Sequence, residues 1–160
     1  MTIPLFKVLM APNVMDQLSP TLQSGFVAEG PRVADFERLL ASAFFAPGEI
    51  LATSSCTAAL DLALHLCGVG PGDKVITTPV TCTATNSPIV TRGAIPVWAD
   101  VDPLTGLIDP ADVAYKLGIT PRVKAIMAVD WGGAPCSYAA LKQFGLPVIQ
   151  DAAHHLSPPS

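Results

Sequence analysis

Asp151 ends a short apolar run, Leu146-Pro147-Val148-Ile149-Gln150, and is followed by Ala152-Ala153-His154. A carboxylate at the C-terminal end of a buried strand stands where open α/β sheets gather ligand chemistry. There it could pair with a protonated ring nitrogen, raise that nitrogen's basicity and keep the ring charged as an electron sink. Capping a following helix is its plainer use. His154 could face the same pocket. A structural histidine is the alternative, and for His155 the better one. The adjacent pair does not match a two-histidine metal site on a helix face, and no metal site is expected.

Three further segments carry small or polar residues after apolar runs. Ser54-Ser55-Cys56-Thr57-Ala58-Ala59-Leu60 lies between an expected strand and an expected helix. Exposed amides and the helix dipole make such a corner an anion site, although an ordinary helix cap has the same sequence. The segment lacks both GxGxxG and GxxxxGK[ST], which disfavours a dinucleotide fold or a P-loop and leaves a nucleotide-binding domain a distant alternative. Thr81-Cys82-Thr83-Ala84-Thr85-Asn86 could line the same crevice, or Thr83 or Thr85 could simply cap a helix. Trp131-Gly132-Gly133 is a pocket wall or a tight turn. Four such strand ends point to one crevice at the C-terminal edge of a sheet.

The elements that must hold these residues follow from hydrophobic spacing. Residues 1–30 read as irregular, punctuated by Pro4, Pro12, Pro20, Gly25 and Gly30. Val33, Phe36, Leu40, Ala43 and Phe44 recur at helical spacing after Pro31, and Pro47-Gly48 should end that helix. Strands are expected over 49–53, 74–78, 95–99, 123–129 and 147–150. Helices are expected over 57–67, 83–90, 110–116 and 137–144, the second weakened by Pro88 unless that residue lies in its first turn. Strands alternating with helices indicate an α/β fold with a largely parallel sheet.

Half of the 160 residues are hydrophobic and 14% are charged, so the chain is too apolar to be disordered. That surplus suggests surface covered by more chain or by a partner. The net charge of −4, with no basic cluster, argues against a nucleic-acid binder. The cysteines, Cys56, Cys67, Cys82 and Cys136, form no CxxC pair and read as reduced cytoplasmic thiols. The first twelve residues read as neither signal peptide nor membrane span.

From about Ser24 to Leu156 the chain resembles the DegT/DnrJ/EryC1/StrS family of pyridoxal phosphate (PLP)-dependent sugar aminotransferases. The resemblance rests on an ordered set of motifs. The set starts with Ser24-Gly25, Gly30-Pro31-Arg32-Val33, Ser55-Cys56-Thr57-Ala58-Ala59-Leu60 and Gly70-Pro71-Gly72-Asp73-Lys74-Val75-Ile76. It continues with Gly93-Ala94-Ile95-Pro96-Val97, Asp100-Val101-Asp102, Asp109-Pro110, Ile119-Thr120-Pro121-Arg122-Val123 and Val148-Ile149-Gln150-Asp151-Ala152-Ala153-His154. It implies an incomplete fold type I (aspartate aminotransferase-like) large domain over 31–160, with the small C-terminal domain outside the sequence.

The resemblance further implies roles. Asp151 would bond the pyridine nitrogen. Ser55, Cys56 and Thr57 would hold the phosphate corner, and His154 would stand near the ring oxygen, where glutamine is common. Cys82 replaces a stacking aromatic residue, which leaves the stacking role open or moves it to a neighbour. Cys56 replaces a glycine. The Schiff-base lysine lies downstream in the family, and Lys7, Lys74, Lys116, Lys124 and Lys142 do not match it. The expected whole enzyme is a cytoplasmic homodimer that moves an amino group, usually from glutamate, to a nucleotide-linked keto-sugar, and these 160 residues would be inactive alone. The alternative is a non-catalytic remnant or subunit that pairs with a full-length relative.

Overall fold

The computed structural model describes residues 7–44 and 50–156. The chain divides into two compact units, Met1–Leu51 and Ala52–Ser160.

The first unit holds two helices, α1 (Val14–Ser24) and α2 (Pro31–Phe44). The first corrects the expectation of an irregular segment over 1–30. Pro20 lies inside α1 and removes one backbone donor, a loss of one bond that the helix tolerates. Gly25 then ends it in the left-handed conformation (φ +79°), with the Ser24 hydroxyl on the Thr21 carbonyl at 2.7 Å. Pro31 opens α2 as expected, its missing N–H falling in the first turn. Pro47 and Gly48, read as its end, lie outside the described residues.

The second unit is an α/β layer structure. Its elements are α3 (Cys56–Leu66), β1 (Lys74–Thr77), α4 (Thr83–Thr91), β2 (Ile95–Trp98), α5 (Pro110–Ile119), β3 (Val123–Val129), a 3₁₀ turn (Trp131–Gly133), α6 (Tyr138–Lys142) and β4 (Val148–Asp151). The strands form one parallel sheet in the order β2-β1-β3-β4. Alternate residues of β3 serve opposite faces. Ala125 and Met127 pack with Leu60 and Leu64 of α3 and Ile89 of α4. Ile126 and Ala128 pack with Val113 of α5 and with Tyr138 and Leu141 of α6. β3 is buried on both sides, as its near-continuous apolar sequence requires.

The strand expected over 49–53 is not formed, for a physical reason, and the helix expected over 83–90 forms despite its proline. Ile50–Thr53 form no strand, since an apolar run becomes one only beside a neighbour, and Leu51 is 67% exposed; Glu49 lies outside the described residues. Pro88 lies in the middle of α4 rather than its first turn. The carbonyl that its missing N–H would have bonded, that of Ala84, has the Ser87 hydroxyl 3.5 Å away instead.

The sheet order creates the crevice. From β1 the chain crosses by α4 to β2 on one side, whereas from β3 it crosses by α6 to β4 on the other. Connections that leave neighbouring strands in opposite directions open a gap at the carboxyl ends of β1 and β3.

Candidate functional site

A cavity of about 300 Å³ lies at these strand ends, within the range of small-molecule sites. Cys56 and Thr57 reach it from the first turn of α3, Thr81, Cys82 and Thr85 from the segment after β1, Trp131 from the end of β3, and Asp151 and His154 from the end of β4. The sequence-derived set therefore converges, save for one member. Ser55 does not line the cavity: it caps α3, its hydroxyl accepting the Ala58 N–H at 3.1 Å. That cap leaves the amides of Cys56 and Thr57 without an acceptor among the described residues, pointing out of the positive end of a helix.

Asp151 is 4% exposed, and among the described residues it is the one carboxylate lining the cavity, which no described lysine or arginine lines. Its donors are all neutral. Oδ2 accepts from the Thr85 hydroxyl at 2.6 Å, and Oδ1 accepts from the Ala153 N–H at 3.1 Å and faces the Cys56 thiol at 3.7 Å. Burying a carboxylate without a cationic partner is unfavourable, and no lysine or arginine among the described residues offsets this one. Burial, then the charge of Asp151 and its hydrogen bond, push the Cys56 thiol above its ordinary value and keep it protonated as a donor.

His154 receives the Gly132 N–H on Nδ1 at 3.3 Å. An acceptor nitrogen carries no proton, so the neutral ring has its proton on Nε2 and offers a donor there. Its ring centroid is 5.2 Å from that of Trp131, the planes tilted by 47°. Trp131-Gly132-Gly133 is thus both pocket wall and tight turn. Position 82 presents no aromatic ring to the cavity, and Trp131 and His154 supply the ring faces that line it.

Sequence reasoning missed Asp130. It follows β3 as Asp151 ends the neighbouring β4, and its own N–H bonds the Asp151 carbonyl at 3.0 Å. It is fully buried and accepts four hydrogen bonds: from Tyr138 Oη (2.6 Å), the Cys136 N–H (2.9 Å), Gln150 Nε2 (2.6 Å) and His155 Nδ1 (2.9 Å). Burial alone would raise its pKa. The donors, Tyr138 first, outweigh that and hold it below the usual aspartate value. His155 therefore has the structural role read for it, and the signal for Asp130 was a carboxylate directly after an apolar strand.

With the geometry in view, comparison with known proteins adds the following. The model of the DegT/DnrJ/EryC1/StrS aminotransferase family matches residues 10–157. The spore coat polysaccharide biosynthesis protein SpsC of Bacillus subtilis is 42% identical over 156 residues, covering 95% of this chain and 39% of that protein. The putative sugar aminotransferase Spr1654 from Streptococcus pneumoniae, in its PLP form, superposes with a TM-score of 0.80 at 34% identity, over 89% of this chain and 36% of the other. NtdA from Bacillus subtilis, with bound cofactor PMP, superposes with a TM-score of 0.85 at 29% identity, over 92% and 34%. The chain thus spans less than half the length of these relatives.

Proposed function

The chain belongs to the DegT/DnrJ/EryC1/StrS aminotransferase family, and from that premise we propose that its cavity binds PLP as part of an enzyme that transfers an amino group to a nucleotide-linked keto-sugar. Glutamate is the proposed amino donor. The carrying observation is Asp151, a buried carboxylate that among the described residues has neutral donors only, in a cavity lined by no described lysine or arginine. A protonated pyridine nitrogen supplies a cationic partner. When bound, PLP would provide the electron sink that amino transfer needs.

Each residue has a defined task in this reading. Asp151 bonds the ring nitrogen and keeps its proton in place. The free amides of Cys56 and Thr57, with the Thr57 hydroxyl, hold the phosphate at the helix N-terminus. Ser55 serves indirectly, by capping the helix so that those amides face outward. His154 donates from Nε2 to the ring oxygen. Cys82 gives one wall a thiol instead of a ring, and Trp131 encloses the edge beside His154. The reading extends to a homodimer of the whole protein, supported by exposed apolar side chains such as Trp98, Ile95 and Leu66.

No lysine among the described residues lines the cavity, so residues 1–160 are proposed not to transaminate by themselves. The test is calorimetric titration of the purified chain with pyridoxamine 5′-phosphate (PMP), which needs no lysine. Saturable binding, weakened at least tenfold by Asp151→Ala, is expected. No binding by the folded chain would overturn the cofactor assignment. Turnover of a keto-sugar with glutamate and PLP by residues 1–160 alone would overturn the proposal of inactivity.

A further inference from the structure

Asp151 is held by a chain of hydroxyls that none of the proposed cofactor contacts accounts for. Thr85 is 2% exposed, on the first turn of α4, and its Oγ1 lies 2.6 Å from Asp151 Oδ2. Thr81 Oγ1 lies 2.7 Å from the same Thr85 oxygen. The directions follow from proton counting. An ionised carboxylate has no proton to give, so Thr85 donates to Asp151. A hydroxyl has one proton, so Thr85 must accept from Thr81. The result is a one-way relay, Thr81 to Thr85 to Asp151, running from a cavity-lining residue to a buried charge.

We infer that Thr85 is a positioning residue that fixes which carboxylate oxygen of Asp151 meets the ring nitrogen, with Thr81 setting the direction of the Thr85 hydroxyl. This rests on the cofactor reading above. Oδ2 is taken by a short, buried hydroxyl bond. Among the described residues, Oδ1 has the Ala153 N–H and, beyond it, only the Cys56 thiol at 3.7 Å, a weak donor that a ring N–H can displace. Oδ1 is therefore the oxygen left for the ring. With Oδ2 fixed on Thr85, Oδ1 stays turned to the ring and gives the ring N–H a carboxylate partner.

The experiment uses the chain loaded with PMP labelled with ¹⁵N in the ring, in wild type, Thr85→Val and Thr85→Ser. The ¹⁵N shift reports ring protonation without any turnover. In Thr85→Val the ring nitrogen should lose its proton about one pH unit lower than in wild type, with PMP bound roughly tenfold more weakly. Thr85→Ser keeps the hydroxyl and should restore both. A Thr85→Val titration that coincides with wild type, at equal affinity, overturns the relay while leaving the cofactor assignment intact. Failure of wild type to bind PMP at all strikes the cofactor assignment instead. Should Thr85→Val not fold, Thr81→Val decides: it leaves the Thr85–Asp151 pair in place but removes the donor behind it. A shift in the same direction and of smaller size is then expected, and an unchanged titration overturns the relay.

Discussion

Asp130 and His155 face each other at 2.9 Å, the imidazole donating through Nδ1 to a carboxylate that solvent does not reach. The pair ties the turn after Asp151 back to the end of β3. Because Asp130 also holds Tyr138 and Gln150, it fastens three segments of chain around one buried charge.

Removing that charge should be severe. Asp130→Ala leaves the Tyr138 hydroxyl, the Cys136 amide and the Gln150 amide without an acceptor, and should lower stability by roughly 3–5 kcal/mol in urea unfolding. The sign of the pH effect follows from the depressed pKa. The folded carboxylate titrates below the unfolded one, so its stabilisation is complete above the ordinary aspartate value and is lost as pH falls through the folded value. Unfolding measured from pH 6 down to pH 3 should show a loss of stability that Asp130→Asn flattens.

Cys56 should alkylate slowly and report on Asp151. Burial is the larger cause of its raised pKa and the Asp151 charge the next. Asp151→Asn removes the second cause, so more thiolate forms at pH 8 and the iodoacetamide rate, followed by peptide mass, should rise severalfold. An unchanged rate would show that the thiol does not sense the carboxylate.

Gly133 has φ +87°, and a Cβ added there would stand 3.1 Å from the His154 carbonyl oxygen. Gly133→Ala therefore meets both a left-handed backbone and a close approach to the cavity turn. It should lose about 1–3 kcal/mol of stability and weaken PMP binding, since the turn it displaces carries His154. Calorimetry on the folded variant separates the two effects.

Arg92 joins α3 to α4 through Asp61 Oδ1 (2.8 Å), His65 Nδ1 (2.8 Å) and the Val69 carbonyl (3.2 Å). A guanidinium only donates, so His65 must accept on Nδ1 and, when neutral, carry its proton on Nε2. Lysine cannot reproduce three divergent bonds. Arg92→Lys should lower stability by about 1 kcal/mol, a partly exposed contact being discounted for screening, and should release the His65 tautomer, visible in its ¹⁵N shifts.

The elements that position the site were largely legible. β3 runs from Val123 to Val129 as read, because a strand buried on both faces writes itself as an unbroken apolar run. Asp151 was legible from its place at the end of such a run. α1 was not, because Pro20 reads as a break although an 11-residue helix accommodates it. The segment 50–53 looked like a strand because composition does not say whether a neighbour exists to pair with. Thr85 reads as part of a segment that could line the crevice, with helix capping by Thr83 or Thr85 as the alternative; Cys82 is the residue at the α4 N-cap position, and Thr85 turns inward to Asp151. Which of several threonines meets a carboxylate 66 positions away depends on sheet order, and local sequence does not encode that.

The distances along the chain between cavity partners have their own consequence. Cys56 meets Asp151 across 95 positions and Thr85 meets it across 66, so no short stretch of an unfolded chain can assemble the site. A ligand for this cavity recognises only the folded form, and a hundredfold excess over its dissociation constant adds about 2.7 kcal/mol to the folding equilibrium. The amount of native protein then rises and falls with the supply of whatever ligand fills the cavity, and scarcity of that ligand would leave more unfolded chain exposed to proteolysis.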